Sequence, residues 1–233
     1  MTTTHRPPDA RTTTPVRIPI GEQWLHGDIG WPERAHGLIV FAHGSGSGRH
    51  SPRNQFVAGA LEQRGFATLL LDLLTADEEL VDSRTAHLRF DIERLARRLV
   101  TVVDWLRGRR ETASTAIGLF GASTGAGAAL VAAAARPADI LAVVSRGGRP
   151  DLAGMALPAV AAPTLLIVGG LDTPVIQMNR DAMARMPGQV VLDIVPGATH
   201  LFEEAGMLER VAALAGTWFG RYLIRPVVTH ASA

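Results

Sequence analysis

Several short runs of this chain are apolar at nearly every position, among them Leu38–Ala42, Ala67–Asp72, Thr115–Phe120 and Thr164–Val168. A strand with one wet face alternates apolar and polar residues. A run without that alternation needs cover on both faces, as the central strands of a parallel sheet have. The cover is visible between the runs. Asn54–Arg64 reads as a helix stopped by Gly65, and residues 124–136 as an alanine-rich helix stopped by Pro137. Ser83–Arg107 reads as one long amphipathic helix, because Leu88, Ile92, Leu95, Leu99, Val102, Val103 and Leu106 recur at helical spacing. Further strands are expected at Ile140–Val144 and Val190–Val195, and further helices over 175–186 and 204–222. Val16–Ile20 and Gln23–Ile29 read as an opening antiparallel pair. Strand and helix alternating this often imply an α/β fold: a doubly wound, mostly parallel sheet with helices on both faces.

The chain has 233 residues, 47% of them hydrophobic and 19% charged, enough for one large core. The expected organisation is one domain over residues 16–222, a disordered tail over 1–15 and a C-terminal tail over 223–233. Lys and Arg number 23 against 22 Asp and Glu, so the formal net charge is +1 and no basic field is available to hold nucleic acid. No cysteine is present, which excludes disulfides, thiolate catalysis and cysteine-ligated zinc. That composition fits a reducing compartment, and a cytoplasmic protein is expected. No apolar run has the length of a membrane span or of a signal-peptide core, so neither a membrane partner nor secretion is expected.

In an open α/β sheet, functional groups gather at the carboxyl ends of the strands. Gly121-Ala122-Ser123-Thr124-Gly125 lies between an expected strand and an expected helix. A G-x-S-x-G there forms a tight turn that lifts one serine above the sheet, and its glycines avoid the neighbouring strand and helix. Asp172 follows the strand 164–168, and His200 follows the strand 190–195. A serine hydroxyl needs a base to take its proton, and the base needs a carboxylate to fix its tautomer. Ser123 is therefore the candidate nucleophile, His200 the base and Asp172 its partner. Asp172 could instead cap the helix after it, and His200 could be an ordinary loop histidine. Asp193 is a rival carboxylate, but it lies inside a strand.

A fourth strand end carries His43-Gly44-Ser45-Gly46-Ser47-Gly48. Acyl transfer develops an oxyanion that backbone amides must already face. One donor is expected from Thr124, the residue after the nucleophile, and the second from Ser45, with Gly44 as the other option. The glycines of this loop also resemble a dinucleotide fingerprint. Its third glycine would fall on Arg49, however, and Asp72 lies 28 residues beyond Gly44 (72 − 44), somewhat far.

Taken together, these segments resemble the α/β-hydrolase superfamily, and within it the small dienelactone-hydrolase-like serine hydrolases, over residues 16–222. The resemblance rests on His43-Gly44, the turn at 121–125, Gly170-Leu171-Asp172 and Gly197-Ala198-Thr199-His200. It implies an α/β-hydrolase fold and a carboxylic ester hydrolase that works through an acyl-enzyme on a small-molecule ester, with no metal and no cofactor. Dienelactone hydrolase itself carries cysteine at the turn. Ser123 departs from that pattern and favours ordinary ester chemistry. Related enzymes often insert a cap domain between the strands that here are 140–144 and 164–168. Only residues 145–163 lie between them, so an open site without a large cap is expected.

Arg49, Arg146 and Arg149, with Arg53, cluster at the expected rim. Guanidinium groups suit a carboxylate or phosphate on a substrate, so the first three are candidate substrate contacts. The competing reading is that they pair with Asp72, Asp77, Glu78 or Asp151 and brace loops. Two other functions keep the same residues in view: a thioesterase or amidase sharing the triad, and a non-catalytic binding module on the same fold.

Overall fold

A computed structural model describes residues 13–224. Eight strands form one sheet: β1 Thr13–Ile20, β2 Gln23–Gly30, β3 Leu38–Ala42, β4 Ala67–Leu71, β5 Ile117–Ala122, β6 Ile140–Arg146, β7 Thr164–Gly169 and β8 Val190–Val195. Their spatial order is β1-β2-β4-β3-β5-β6-β7-β8. β1 and β2 are antiparallel to their neighbours, and every pairing from β4 to β8 is parallel. Six α-helices cover the sheet: α1 Pro52–Glu62, α2 Ala76–Thr85, α3 Ile92–Arg107, α4 Thr124–Ala135, α5 Thr173–Met183 and α6 Met207–Leu223. This is the doubly wound α/β architecture expected, with no large cap domain. Residues 145–163 hold the end of β6 and a 3-10 segment, Pro150–Ala159.

The uninterrupted apolar runs divide between two cores, as a two-faced burial requires. In β3, Leu38, Val40 and Ala42 pack with Leu95, Leu99, Val102 and Val103 of α3. Ile39 and Phe41 turn the other way, onto Val57 and Leu61 of α1 and Phe219 of α6. All five are essentially solvent-free. β6 divides the same way: Val143 joins the α3 and α4 core, while Ala142 and Val144 join the α1 and α6 core.

Several expected boundaries differ. β1 begins at Thr13, and Thr13, Thr14 and Pro15 pair with Gly30, Ile29 and Asp28, so these residues belong to the sheet. Residues 1–12 and 225–233 of the expected tails lie outside the described residues. The last helix begins at Met207, leaving 199–206 as a loop. The largest difference is in Ser83–Arg107, which is not one helix. α2 ends at Ala86 in the left-handed region (φ 55°), a 3-10 turn spans Leu88–Phe90, and Asp91 starts α3 by accepting the Arg94 amide at 3.0 Å. Helical spacing of Leu88, Ile92 and Leu95 runs through the break and conceals it. Two local signals mark it instead. Thr75 and Glu78 make a reciprocal capping box for α2, and the Asp91 carboxylate competes for α3's free amides.

The break is held by Asp82, which is 1% exposed. It accepts the amides of Leu88 (2.7 Å) and Arg89 (3.1 Å) and the Arg89 Nε (2.5 Å). Burial alone would raise this carboxyl. The Arg89 guanidinium and the two amides outweigh burial and hold it below the ordinary carboxylate value. The stability contributed is present above the unfolded pKa, about 3.9, and is lost as pH falls through the folded value. Asp82→Asn is accordingly expected to lower stability by about 2 kcal/mol at pH 7. The gap between variant and wild type should narrow below about pH 4 in urea unfolding measured across pH.

Candidate active site

β5 ends at Ala122 and α4 begins at Thr124, so Ser123 alone makes the turn. Its backbone sits at φ 49°, ψ −123°, a conformation that costs an L-residue on the order of 1–3 kcal/mol. Neighbouring backbone holds it there. The Ser123 N–H donates to Arg146 O at 3.2 Å, and the Arg149 N–H donates to Ser123 O at 3.0 Å. The flanking glycines are required by close approach. A Cβ at Gly121 would lie 2.4 Å from Ala126 Cα, and one at Gly125 would lie 2.2 Å from Ala42 O. The first contact is with the following helix and the second with the neighbouring strand, as the turn geometry demands.

Asp172 occupies the N-cap position of α5, yet its carboxylate makes no capping bond. Its Oδ2 accepts instead from His200 Nδ1 at 2.6 Å. That contact fixes the tautomer: Nδ1 carries the proton and Nε2 is left as the ring's basic nitrogen. The carboxylate is sheltered (14% exposed side chain) and the imidazole is more open (39%). Their loops are joined by backbone bonds from Gly170 N–H to Val195 O (2.8 Å) and from Leu171 N–H to Ala198 O (3.0 Å). Beyond His200, Phe202 is buried and anchors the loop, while Glu204 Oε1 takes the Thr199 amide at 3.0 Å. The rival Asp193 stays in β8, 3.9 Å from Arg210 Nη2.

Gly147 and Arg146, adjacent in the chain, touch the His200 and Ser123 segments respectively. A methyl on Gly147 would lie 3.6 Å from His200 Nδ1 and Cε1, and the preceding residue supplies the carbonyl that holds Ser123. Among the described residues Ser123 Oγ makes no hydrogen bond. Such contacts are often loose without substrate and tighten when it binds.

His43 has a role that the sequence did not reveal. The Leu73 N–H donates to its Nε2 at 3.0 Å, so the proton sits on Nδ1, which donates to Gly44 O at 2.9 Å. Burial pushes the His43 pKa below its ordinary value and keeps the ring neutral. Tying the Gly44 carbonyl fixes the plane of the Gly44–Ser45 peptide, and with it the direction of the Ser45 N–H. The Thr124 N–H, in the first turn of α4, has no intrahelical acceptor. Ser45 and Thr124 line one small pocket with Leu74, Glu79 and Arg89. The α2 segment and the turn after it therefore wall the loop. Arg89 belongs to the site's surroundings, and helical periodicity hid it.

The candidate arginines separate into two groups. Arg49 braces loops: its Nε lies 3.2 Å from Asp28, its Nη1 contacts Asp72, and its N–H donates to Asp72 Oδ1 at 2.8 Å. The same contacts occupy the acidic group that a nucleotide ribose would need. Arg149 is paired bidentately with Asp151 at 2.8 and 2.7 Å. Both guanidinium groups are thus engaged by carboxylates, a tertiary pairing for Arg49 and a local one for Arg149. Arg146 differs. It is 7% exposed and forms no ion pair among the described residues. Among the described residues no group of three or more His, Asp or Glu side chains is placed to hold a metal ion.

A strained serine turn at the end of β5 in a mostly parallel eight-stranded sheet, with an Asp–His pair beyond the ends of β7 and β8, defines an α/β-hydrolase-fold protein. The profile of the dienelactone hydrolase family matches residues 27–218, and the chain belongs to that family. The crystal structure of dienelactone hydrolase from Anabaena variabilis is 57% identical, with a TM-score of 0.89, and the match covers 92% of this chain and 99% of that one. Est1E from Butyrivibrio proteoclasticus shares the fold at 16% identity, with a TM-score of 0.74 over 89% of this chain and 98% of that one. Two curated proteins from Mycobacterium tuberculosis strains are each 56% identical over 211 residues and carry a provisional phosphoribosyl transferase name. The match covers 91% of this chain and 47% of each of them, so the chain spans about half the length of these relatives.

Proposed function

We propose that this chain is a serine hydrolase that cleaves carboxylic esters of small, accessible substrates through an acyl-enzyme. Family membership supports hydrolase chemistry, and the observation that carries the finer reading is the His200–Asp172 hydrogen bond at 2.6 Å. An aspartate at a helix N-cap position ordinarily caps the helix. This one turns to an imidazole instead, at the strand ends beside a strained serine. In the proposed reaction His200 Nε2 takes the Ser123 proton as Oγ attacks the ester carbonyl, and Asp172 stabilises the resulting imidazolium. The Thr124 and Ser45 amides receive the oxyanion. The protonated ring then gives its proton to the leaving alcohol, and water repeats the sequence on the acyl-enzyme. The phosphoribosyl transferase name belongs to proteins of about twice this length, whereas the hydrolase reading concerns the stretch that the family profile matches.

Treatment with a fluorophosphonate probe, followed by mass mapping, tests this. Label is expected on Ser123 alone, lost in Ser123→Ala and strongly reduced in His200→Ala. Label elsewhere, or label indifferent to both changes, contradicts the reading and leaves the non-catalytic module. With only a 3-10 segment over residues 150–159 where a cap could stand, little can enclose a long acyl chain. Among p-nitrophenyl esters, kcat/KM is therefore expected to peak at short acyl chains, and a rise towards laurate would contradict an open site.

A further inference from the structure

The strained backbone of Ser123 is held from both sides, each time through one peptide of the segment that ends β6. On one side the Ser123 N–H donates to Arg146 O at 3.2 Å, and the Gly147 N–H donates to Ile167 O of β7 at 2.8 Å. Arg146 C=O and Gly147 N–H belong to a single planar peptide, so this is a relay from Ser123 to β7. On the other side the Arg149 N–H donates to Ser123 O at 3.0 Å. The same peptide presents Gly148 O on its opposite edge, and that oxygen accepts from Asn179 Nδ2 of α5 at 3.0 Å. The second relay therefore runs from Ser123 to α5. β7 and α5 are the two elements that flank Asp172 in the chain.

The two anchors differ in kind. Ile167 O is main chain, and any residue supplies it. The α5 anchor is one side chain, and Asn179 is fully buried (0% exposed). Its Nδ2 also donates to Val175 O, one turn earlier in α5, at 2.8 Å. Facing two carbonyls fixes which end of the amide carries nitrogen, because the reverse orientation would set an oxygen against both. Its Oδ1 is then sealed from solvent without a partner among the described residues. A buried acceptor left unmet is costly, and asparagine is a poor helix former. Packing and helix propensity both favour an apolar residue here, whereas the Gly148–Arg149 peptide needs a donor. A bond to the oxygen of a peptide fixes its plane and polarises the N–H on the other edge.

We propose that Asn179 is a positioning residue for the nucleophile: through the Gly148–Arg149 peptide it holds Ser123 in its strained conformation and ties that turn to the helix that follows Asp172. This rests on the hydrolase reading above. Asn179 is buried and acts only through backbone. Without it the Gly148–Arg149 peptide can rotate and the Arg149 N–H can leave Ser123 O. The serine then relaxes towards an ordinary φ, which swings Oγ away from the base and the ester carbonyl.

Asn179→Ser is the test. A serine inside a helix can bond the carbonyl four residues back, so a bond to Val175 O remains available, but its hydroxyl is too short to reach Gly148 O. On p-nitrophenyl acetate kcat is expected to fall by about 10- to 100-fold, the scale of a nucleophile displaced by up to an ångström, with KM little changed. The rate of fluorophosphonate labelling at Ser123 should fall in parallel. Asn179→Leu, which removes both donated bonds and the unmet acceptor, should show the same loss. Arg107→Ala is the control for lost stability alone. It gives up bonds to Asp139, Ala113 and Thr115, all ahead of β5 and β6, and should melt below wild type while keeping its kcat. Were Asn179 only a brace for α5, its variants would behave in the same way, and that result overturns the proposal. Amide hydrogen exchange needs no turnover. In wild type the Arg149 N–H should be protected as strongly as the amides of β7. In Asn179→Ser it should exchange faster, and by more than the Ser123 N–H, whose relay ends on β7. An Arg149 amide that exchanges freely in wild type overturns the proposal even if no variant folds. If wild type is active and both Asn179 variants keep its kcat, the proposal fails and the hydrolase reading stands. If wild type cleaves no ester and Ser123 takes no label, the hydrolase reading fails, and exchange alone decides whether Asn179 holds the turn.

Discussion

Ser123→Ala and His200→Ala are each expected to lower kcat on p-nitrophenyl acetate by on the order of 10⁶-fold, and Asp172→Asn by on the order of 10⁴-fold, with KM little changed. The three should not add. Once the nucleophile is gone, the base and its partner have no proton to move, so the double variant Ser123→Ala, Asp172→Asn should match Ser123→Ala alone. The smaller Asp172 effect follows from geometry. Asparagine preserves the shape of the carboxylate, but its amide can present N–H to His200 Nδ1. The ring would then hold its proton on Nε2, facing away from Asp172, where it cannot accept from a serine. Single-turnover burst kinetics with p-nitrophenyl acetate check this. A slowed acylation burst in Asp172→Asn agrees with it, and an Asp172→Asn enzyme within tenfold of wild type contradicts it. The amides proposed to receive the oxyanion, those of Ser45 and Thr124, can still polarise the ester carbonyl towards direct attack by water, so a residue of activity above the uncatalysed rate is expected in every variant.

Much of this arrangement was legible because it depends on local patterns that tertiary structure does not overrule. β3 and β4 are apolar on both faces, and only a covered parallel sheet accepts such runs. Ser123, Asp172 and His200 each follow a strand, so the sheet itself brings them to one edge. The turn between α2 and α3 was not legible from periodicity, because Leu88, Ile92 and Leu95 point inward on both sides of the break. The capping signals at Thr75, Glu78 and Asp91 could have found it. The arginines show a different limit. Arg49 meets Asp28 from β2 and Asp72 from the end of β4, a pairing that exists only once those strands lie side by side. Nothing near Arg49 in the chain announces it. Arg146 is informative for the opposite reason: among the described residues no carboxylate pairs with it, and that too becomes visible only when the whole neighbourhood is assembled. The contribution of His43 depended likewise on the Leu73 amide, 30 residues away.

Gly125→Ala is expected to damage folding and chemistry together. The added methyl would lie 2.2 Å from Ala42 O, 2.4 Å from His43 O and 2.7 Å from Ala42 C. All three are backbone atoms, so no flexible side chain can turn aside. Either α4 must tilt away from β3, or the end of β3 must move. Overpacking usually costs 1–3 kcal/mol, and a clash with main chain places this change at or above the upper end, about 3 kcal/mol or more. For a domain of this size that is a fall in melting temperature of about 6–12 °C. Ala42 and His43 lead directly into Gly44 and Ser45, so the same displacement shifts the proposed oxyanion donor relative to Ser123. A donor moved by an ångström loses most of its value, and kcat should fall by on the order of 10²-fold even below the melting transition. Gly220→Ala is the control. It lies inside α6, where a methyl would meet only Ile224 Cδ1 at 4.0 Å. That change is expected to be neutral or stabilising by up to about 1 kcal/mol, through helix propensity. If Gly125→Ala melted and turned over like Gly220→Ala, the close contact between the serine turn and β3 would be wrong, and with it the placement of Gly44 against Ser123.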